Sequence, residues 1–132
     1  KSLFKNLSNN KVVKITKGSQ TRDFNYVGNS VNFFIEAIKN DKLFNNIVNI
    51  SDGSEISIKS LAKKLKKLTY SKSKLIIGGL PERKTEIKRM KASTAKMRGF
   101  IKSKKVFSFD DGLLKTINWY KKQQKFFYSF IE

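Results

Sequence analysis

VVKITKGSQTRDFNYVGNSVNFFIEAI, residues 12–38, passes from strand chemistry through a turn to helix chemistry. Val12-Val13-Lys14-Ile15-Thr16 is β-branched and short, with Asn-Asn before it and Lys-Gly-Ser after, which predicts a strand. TRDFNYV at 21–27 predicts a second extended stretch whose apolar positions are Phe24, Tyr26 and Val27. Asn29 has the side chain of an N-cap, able to accept from the free amides of a first turn. Behind it Val31, Phe34, Ile35 and Ile38 follow the i, i+3, i+4, i+7 spacing of a helix with one buried stripe, running to about Lys39.

Outward from this stretch the alternation continues. Asn40-Asp41 breaks the helix, and Ile47-Val48-Asn49-Ile50 reads as another β-branched strand closed by a Ser51-Asp52-Gly53 turn. Ser57 then caps a helix with Leu61, Leu65 and Leu68 inside and Lys63, Lys64, Lys66 and Lys67 outside. Leu75-Ile76-Ile77 is a third apolar strand, ended by Gly78-Gly79, and Pro81 holds the following ERKTEIKRM extended. Ser108, with Asp111 three residues on, forms a capping box for a last helix whose inner face is Leu113, Ile117 and Tyr120. Strands separated by helices define an α/β chain.

The 132 residues suit one domain, and they hold no Cys and no His, so a disulfide framework, a zinc finger, a thiol nucleophile and a His-based triad are all excluded within this chain. A hydrophobic fraction of 39% with 12% aromatics is too high for a disordered basic tail. No apolar run approaches the roughly 18 residues of a membrane span and no signal peptide opens the chain, so a soluble, cytoplasmic protein with no membrane partner is expected. Residue 1 is Lys, consistent with a sequence that begins part-way through a longer product.

A net charge of +19 invites a nucleic-acid reading. Only four of the 29 basic residues are Arg, whereas base readout and planar phosphate recognition favour the guanidinium fork. Nucleic acid is therefore set aside as the principal partner, and a small basic nucleic-acid-binding domain is kept as the alternative.

Two clusters place Arg beside turns. In Gly18-Ser19-Gln20-Thr21-Arg22-Asp23-Phe24 the glycine lets the backbone approach a ligand, and Arg22 can reach a phosphate with two parallel hydrogen bonds; local surface pairing of Arg22 and Asp23 is the plain alternative. In Pro81-Glu82-Arg83-Lys84-Thr85-Glu86, Arg83 offers a second phosphate partner and Glu86 an acceptor for a pair of hydroxyls; the plain alternative is a solvated loop. Neither cluster contains GxxxxGK[ST] or GxGxxG.

Taken in order, GSQTRDFNYVGNSVNFFIEAI, IVNISDGSEISIKSLAKKL, LPERKTEIKRMKASTAK and FSFDDGLLKTINWY resemble the C-terminal portion of the extended short-chain dehydrogenase/reductase family, the NAD-dependent nucleotide-sugar epimerases and dehydratases, over about residues 10–122. The resemblance implies a partial extended fold: a single, incomplete substrate-binding portion over residues 1–132 with edge elements of a Rossmann-type sheet, its N-terminal cofactor-binding portion absent. It implies that Arg22 and Arg83 bind a nucleotide diphosphate, that Glu86 faces the ribose, and that Val13, Lys14 and Ile15 lie along the base. The complete enzyme, an epimerase or 4,6-dehydratase and a homodimer, would use NAD or NADP on a nucleotide-diphosphate sugar. This chain departs from the pattern in having Gly28-Asn29 for an acidic pair, Ala92-Ser93-Thr94-Ala95-Lys96 for A-D-x-S-K, and a segment from Lys96 to Gly99 that is shorter than the usual helix. The family's GxxGxxG is missing, and the resemblance matches no residue of this chain to the family's catalytic Ser/Thr or catalytic Tyr/Lys pair, so the chain alone is expected to be inactive and to bind no cofactor. A retained binding or assembly module without catalysis is a further alternative. Apolar surface meant for an N-terminal half is expected to stand exposed, with Phe126-Phe127-Tyr128-Ser129-Phe130-Ile131 another candidate for it.

Overall fold

Parallel pairing of two short apolar strands organises the first of two units. The structure, a computed structural model, describes residues 2–101 and 106–128. One unit comprises Lys1–Phe24 and Gly53–Lys91, the other Asn25–Asp52 and Ala92–Glu132. The chain is mixed α/β with small sheets, as its alternation of signals predicts.

In the first unit, helix α1 (Ser2–Ser8) precedes β1 (Val13–Ile15), which pairs in parallel with β4 (Leu75–Ile77) in the register Val13↔Leu75 and Ile15↔Ile77. Both strands fall where the β-branched runs place them. A second sheet has β2 (Thr21–Arg22) in the middle, antiparallel to β3 (Ile56–Ser57) and parallel to β5 (Arg89–Met90). Helix α3 (Ile58–Leu68) starts at the expected cap, with the Ser57 hydroxyl accepting from the Ser60 amide at 3.1 Å. It buries Ala62 and Leu65 with Phe4, Leu7 and Val13 as the unit's core, while Leu61 and Leu68 are half-buried. Gly18 adopts φ +66° and its carbonyl accepts from the Lys59 amide at 2.9 Å, which ties the turn before β2 to the start of α3.

In the second unit α2 (Val27–Ile38) begins two residues before the expected cap. Tyr26 occupies the N-cap position without a side-chain bond, and its carbonyl accepts from the Asn29 and Ser30 amides. Asn29 is thus not a cap. Its amide reaches 78 positions along the chain instead, donating from Nδ2 to the Phe107 carbonyl at 2.9 Å and accepting at Oδ1 from the Phe107 amide at 3.0 Å. The extended stretch expected over 21–27 accordingly ends as a strand at Arg22.

The apolar stripe of α2 has the expected helical period but the opposite fate. Phe33 is the buried residue, whereas Val31, Phe34, Ile35 and Ile38 are 51%, 56%, 47% and 83% exposed. Residues 47–50 form no strand, and Ile47 is 90% exposed: β-branched chemistry favours an extended chain, but a strand also needs a ladder partner, and none is found among the described residues. Helix α4 (Ala95–Phe100) covers the short Lys96–Gly99 segment, and Asn40 donates to its Phe100 carbonyl at 2.8 Å. The last helix, α5 (Phe109–Tyr128), has the expected capping box, Ser108 Oγ accepting from the Asp111 amide at 3.1 Å and Asp111 Oδ2 from the Ser108 amide at 3.2 Å. Ile117 is buried on its inner face and Leu113 and Tyr120 are half-buried. The side chains of the closing aromatic run, residues 126–131, lie outside the described residues. No helix among the described residues is long and apolar enough to cross a membrane.

Candidate functional site

Arg22 sits on the central strand of the three-stranded sheet, in register with Ile56 on one side and Met90 on the other. Its guanidinium is anchored by backbone: Nη1 donates to the carbonyls of Thr21 at 2.7 Å and Ile87 at 2.8 Å. Nη2 donates to Glu86 Oε1 at 2.5 Å, with the two side chains 23% and 20% exposed. The expected local pairing of Arg22 with Asp23 does not form. Asp23 Oδ2 accepts from the Gly53 amide at 3.1 Å instead, closing the loop that leads to β3.

Glu86 reaches Arg22 because its amide donates to the Arg83 carbonyl at 3.1 Å, a tight turn that carries both expected site residues. Arg83 is exposed, and its guanidinium has no partner among the described residues. The structure therefore brings Arg22 and the Arg83–Glu86 turn together across more than 60 sequence positions, with one fork engaged and one free. Beside this turn, Lys88 Nζ donates to Glu82 at 2.9 Å, and that bond holds the Glu82 carboxyl below its usual range.

A second arginine–carboxylate pair frames the sheet, and sequence reasoning missed it. Arg89 Nε donates to both oxygens of Glu55 at 3.0 and 2.9 Å, Nη2 donates to Oε2 at 2.7 Å, and Thr21 Oγ1 adds a bond to Oε1 at 2.7 Å. The Arg89 hydrogen bonds, and then that of Thr21, draw the Glu55 carboxyl down to about 2. One carboxylate, on the residue before β3, thus ties β5 to β2. The only signal in the sequence was the presence of Arg89 in ERKTEIKRM, a motif read for Arg83.

Val13, Lys14 and Ile15 form β1, in the other sheet of this unit. Val13 is 3% exposed and belongs to the core, Lys14 is exposed and Ile15 half-buried.

Charge is unevenly divided. Lys1–Phe24 and Gly53–Lys91 hold 18 of the 29 Lys and Arg but only four of the ten Asp and Glu. All four acids are engaged: Glu55, Glu82 and Glu86 in ion pairs and Asp23 on the Gly53 amide. On the outer face of α3, Lys59, Lys63 and Lys67 are exposed with no ion-pair partner among the described residues.

No family model matches the chain. It is 32% identical over 110 residues to UDP-N-acetyl-alpha-D-glucosaminuronate decarboxylase of Bacillus cytotoxicus, a match covering 79% of this chain and 33% of that protein. In three dimensions it is similar to UDP-glucose 4-epimerase of Thermotoga maritima, determined with UDP-glucose, with a TM-score of 0.81 and 22% identity over 93% of this chain and 39% of that one. It is also similar to UDP-glucuronic acid 4-epimerase of Bacillus cereus in complex with UDP-glucuronic acid and NAD, with a TM-score of 0.78 and 24% identity over 92% of this chain and 38% of that one. The two structural likenesses establish the fold. The chain spans about a third of the length of the curated relative.

Proposed function

We propose, for a chain that belongs to the extended short-chain dehydrogenase/reductase family and matches its C-terminal portion, that these residues clamp the diphosphate of a nucleotide sugar while the rest of an epimerase or dehydratase performs the chemistry. The observation that carries the reading is the placement of the Arg83–Glu86 turn against Arg22. A diphosphate presents two anionic groups, and two guanidinium groups on one such framework can each grip one of them with parallel bonds. In this proposal Glu86 serves the ribose, Val13, Lys14 and Ile15 line the base, and the sugar is left free to turn.

The described residues do not fit a dinucleotide cofactor. Such a site needs a glycine-rich turn that runs from a strand into a helix, so that helix amides face the pyrophosphate. The turn after β1 leads to β2, and Gly78-Gly79 after β4 leads to the Pro81 loop; neither opens a helix. Hydride and proton transfer are accordingly assigned to residues outside these 132, in a homodimeric complete enzyme. The exposed apolar stripe of α2 supports a covering N-terminal portion of that enzyme.

Calorimetric titration of the chain with UDP tests the clamp. Arg22→Lys or Arg83→Lys keeps the charge but loses the fork, and either should weaken UDP binding by about 1–3 kcal/mol, while Lys63→Ala leaves it unchanged. Equal affinity in all three variants would reject the reading, and stoichiometric, micromolar NAD binding would reject the assignment of the cofactor elsewhere.

A second reading, a nucleic-acid-binding domain, is favoured by the charge of the first unit, whose acids are all engaged. Its test is fluorescence anisotropy with a single-stranded oligonucleotide. Binding whose salt dependence shrinks in Lys63→Gln and Lys67→Gln variants supports this reading, and an unchanged salt slope refutes it.

A further inference from the structure

Two backbone carbonyls aim the guanidinium of Arg22: Nη1 donates to Thr21 at 2.7 Å and to Ile87 at 2.8 Å. The first belongs to β2, and the second lies two residues ahead of Arg89 on β5. The fork therefore keeps its aim only while β5 stays on β2. By itself β5 is a poor anchor: it is two residues long, lies at the edge of its sheet, and is exposed at every position from 87 to 91. Its ladder to β2 includes the Thr21 amide on the Lys88 carbonyl at 2.9 Å and the Asp23 amide on the Met90 carbonyl at 3.1 Å. Short exposed segments of this kind open locally at small cost in free energy.

Glu55 supplies the further hold. Its carboxylate, 15% exposed, accepts from Thr21 Oγ1 at 2.7 Å and from Arg89 Nη2 at 2.7 Å, while Arg89 Nε bonds both of its oxygens. Such charge-assisted forks are about twice as strong as neutral hydrogen bonds. They join the residue whose carbonyl holds Nη1 to the residue two positions beyond the other carbonyl. Among the described residues Glu55 bonds to neither Arg22 nor Arg83. We infer that Glu55 is a positioning residue for the diphosphate clamp: by stapling Arg89 to Thr21 it keeps the Ile87 carbonyl on Arg22, so anion affinity depends on an acid outside the clamp. This rests on the clamp reading above. Its sign is opposite to that of charge alone, since removing a negative charge from a basic unit should strengthen anion binding.

The test is calorimetric titration of the full chain with UDP and with inorganic pyrophosphate, well below the melting midpoint of each variant. Glu55→Gln should weaken both probes by about fivefold, the scale of a lost hydrogen bond to a charged group. Arg89→Lys retains every charge and loses only the fork, and it should weaken both by about threefold; should Glu55→Gln not fold, this variant decides the question, and unchanged affinity in it would overturn the inference. Glu55→Gln added to Arg22→Lys should cost no more than about twofold beyond Arg22→Lys alone, because an ammonium has no plane for the carbonyls to set. Losses that multiply would overturn the inference, since Glu55 would then act independently of Arg22. Tighter binding in Glu55→Gln would overturn it in favour of plain charge, and unchanged binding would leave Glu55 a stabilising residue only. UDP binding indifferent to Arg22→Lys would instead defeat the clamp reading, and this inference with it, whereas a weakened Arg22→Lys beside an unaffected Glu55→Gln defeats the inference alone. The ligand-free chain carries a further readout: the Arg22 guanidinium proton resonances, distinct in the parent, should merge in Glu55→Gln, and their persistence would count against the staple.

Discussion

Replacing Gly112 by alanine in α5 puts a methyl group where Tyr26 already stands. A Cβ at residue 112 would lie 2.6 Å from Tyr26 Cβ and 2.8 Å from its Cγ, against about 3.5–4.0 Å for ordinary carbon contact. Those atoms are the stem of the side chain, close to the backbone, and the ring is held edge-on to Phe107 with centroids 5.2 Å apart. Relief therefore requires a shift of α5 or of the start of α2, and overpacking of this kind costs about 1–3 kcal/mol. Helix propensity opposes it, since alanine is favoured over glycine by about 0.8–1.0 kcal/mol inside a helix. The net expectation for Gly112→Ala is a loss of about 0–2 kcal/mol. Gly99 in α4 is the control, because a Cβ there meets nothing within 4 Å among the described residues, and Gly99→Ala should stabilise by up to about 1 kcal/mol. The same substitution in the same unit should thus have opposite effects, separated by about 1–3 kcal/mol, or roughly 4–12 °C in midpoint for a chain of this size. Urea denaturation of both variants, with equal m-values required, measures the difference. Gly112→Ala as stabilising as Gly99→Ala would refute the seating of α5 on Tyr26.

Gly18→Ala should destabilise by about 2 kcal/mol or more, because its φ of +66° disfavours any side chain and the new Cβ would lie 2.8 Å from the Lys59 amide nitrogen; a melt unchanged from the parent would contradict this. Asn29→Asp should lose about 1–3 kcal/mol, since a carboxylate can still accept from the Phe107 amide but cannot donate to its carbonyl; a neutral result in urea denaturation would show that the clasp contributes nothing. The depressed Glu55 carboxyl makes stability depend on acid: its contribution is complete above the usual value near 4.5 and is lost as pH falls towards about 2. Thermal midpoints measured from pH 6 to 2 should consequently fall further for the parent than for Glu55→Gln, and parallel curves would exclude the Arg89 pairing as the cause.

Much of the fold was legible where a signal acts within about one helical turn. The Ser57 cap, the Ser108–Asp111 box and the β-branched runs of β1 and β4 each stand where the sequence puts them. Helix α1 went unread, and Asn29 was misread because an amide that fits an N-cap also fits a distant backbone; proximity to Phe107 decided between them. The period of α2 was correct, but a period identifies one face without naming what covers it. Residues 47–50 failed as a strand for a related reason, since a ladder requires a second strand.

The candidate site divides in the same way. The residue types and turns that offered Arg22, Arg83 and Glu86 were determined by the sequence alone, because guanidinium and carboxylate chemistry belongs to the residue itself. Only tertiary structure decided that Arg22 is bonded to Glu86 rather than to Asp23, and that Glu55, not an expected site residue, braces the sheet through Arg89. Partners 34 and 64 positions apart leave no local pattern, and their pairing follows from strand register: β2 between β3 and β5 places these side chains within hydrogen-bonding reach.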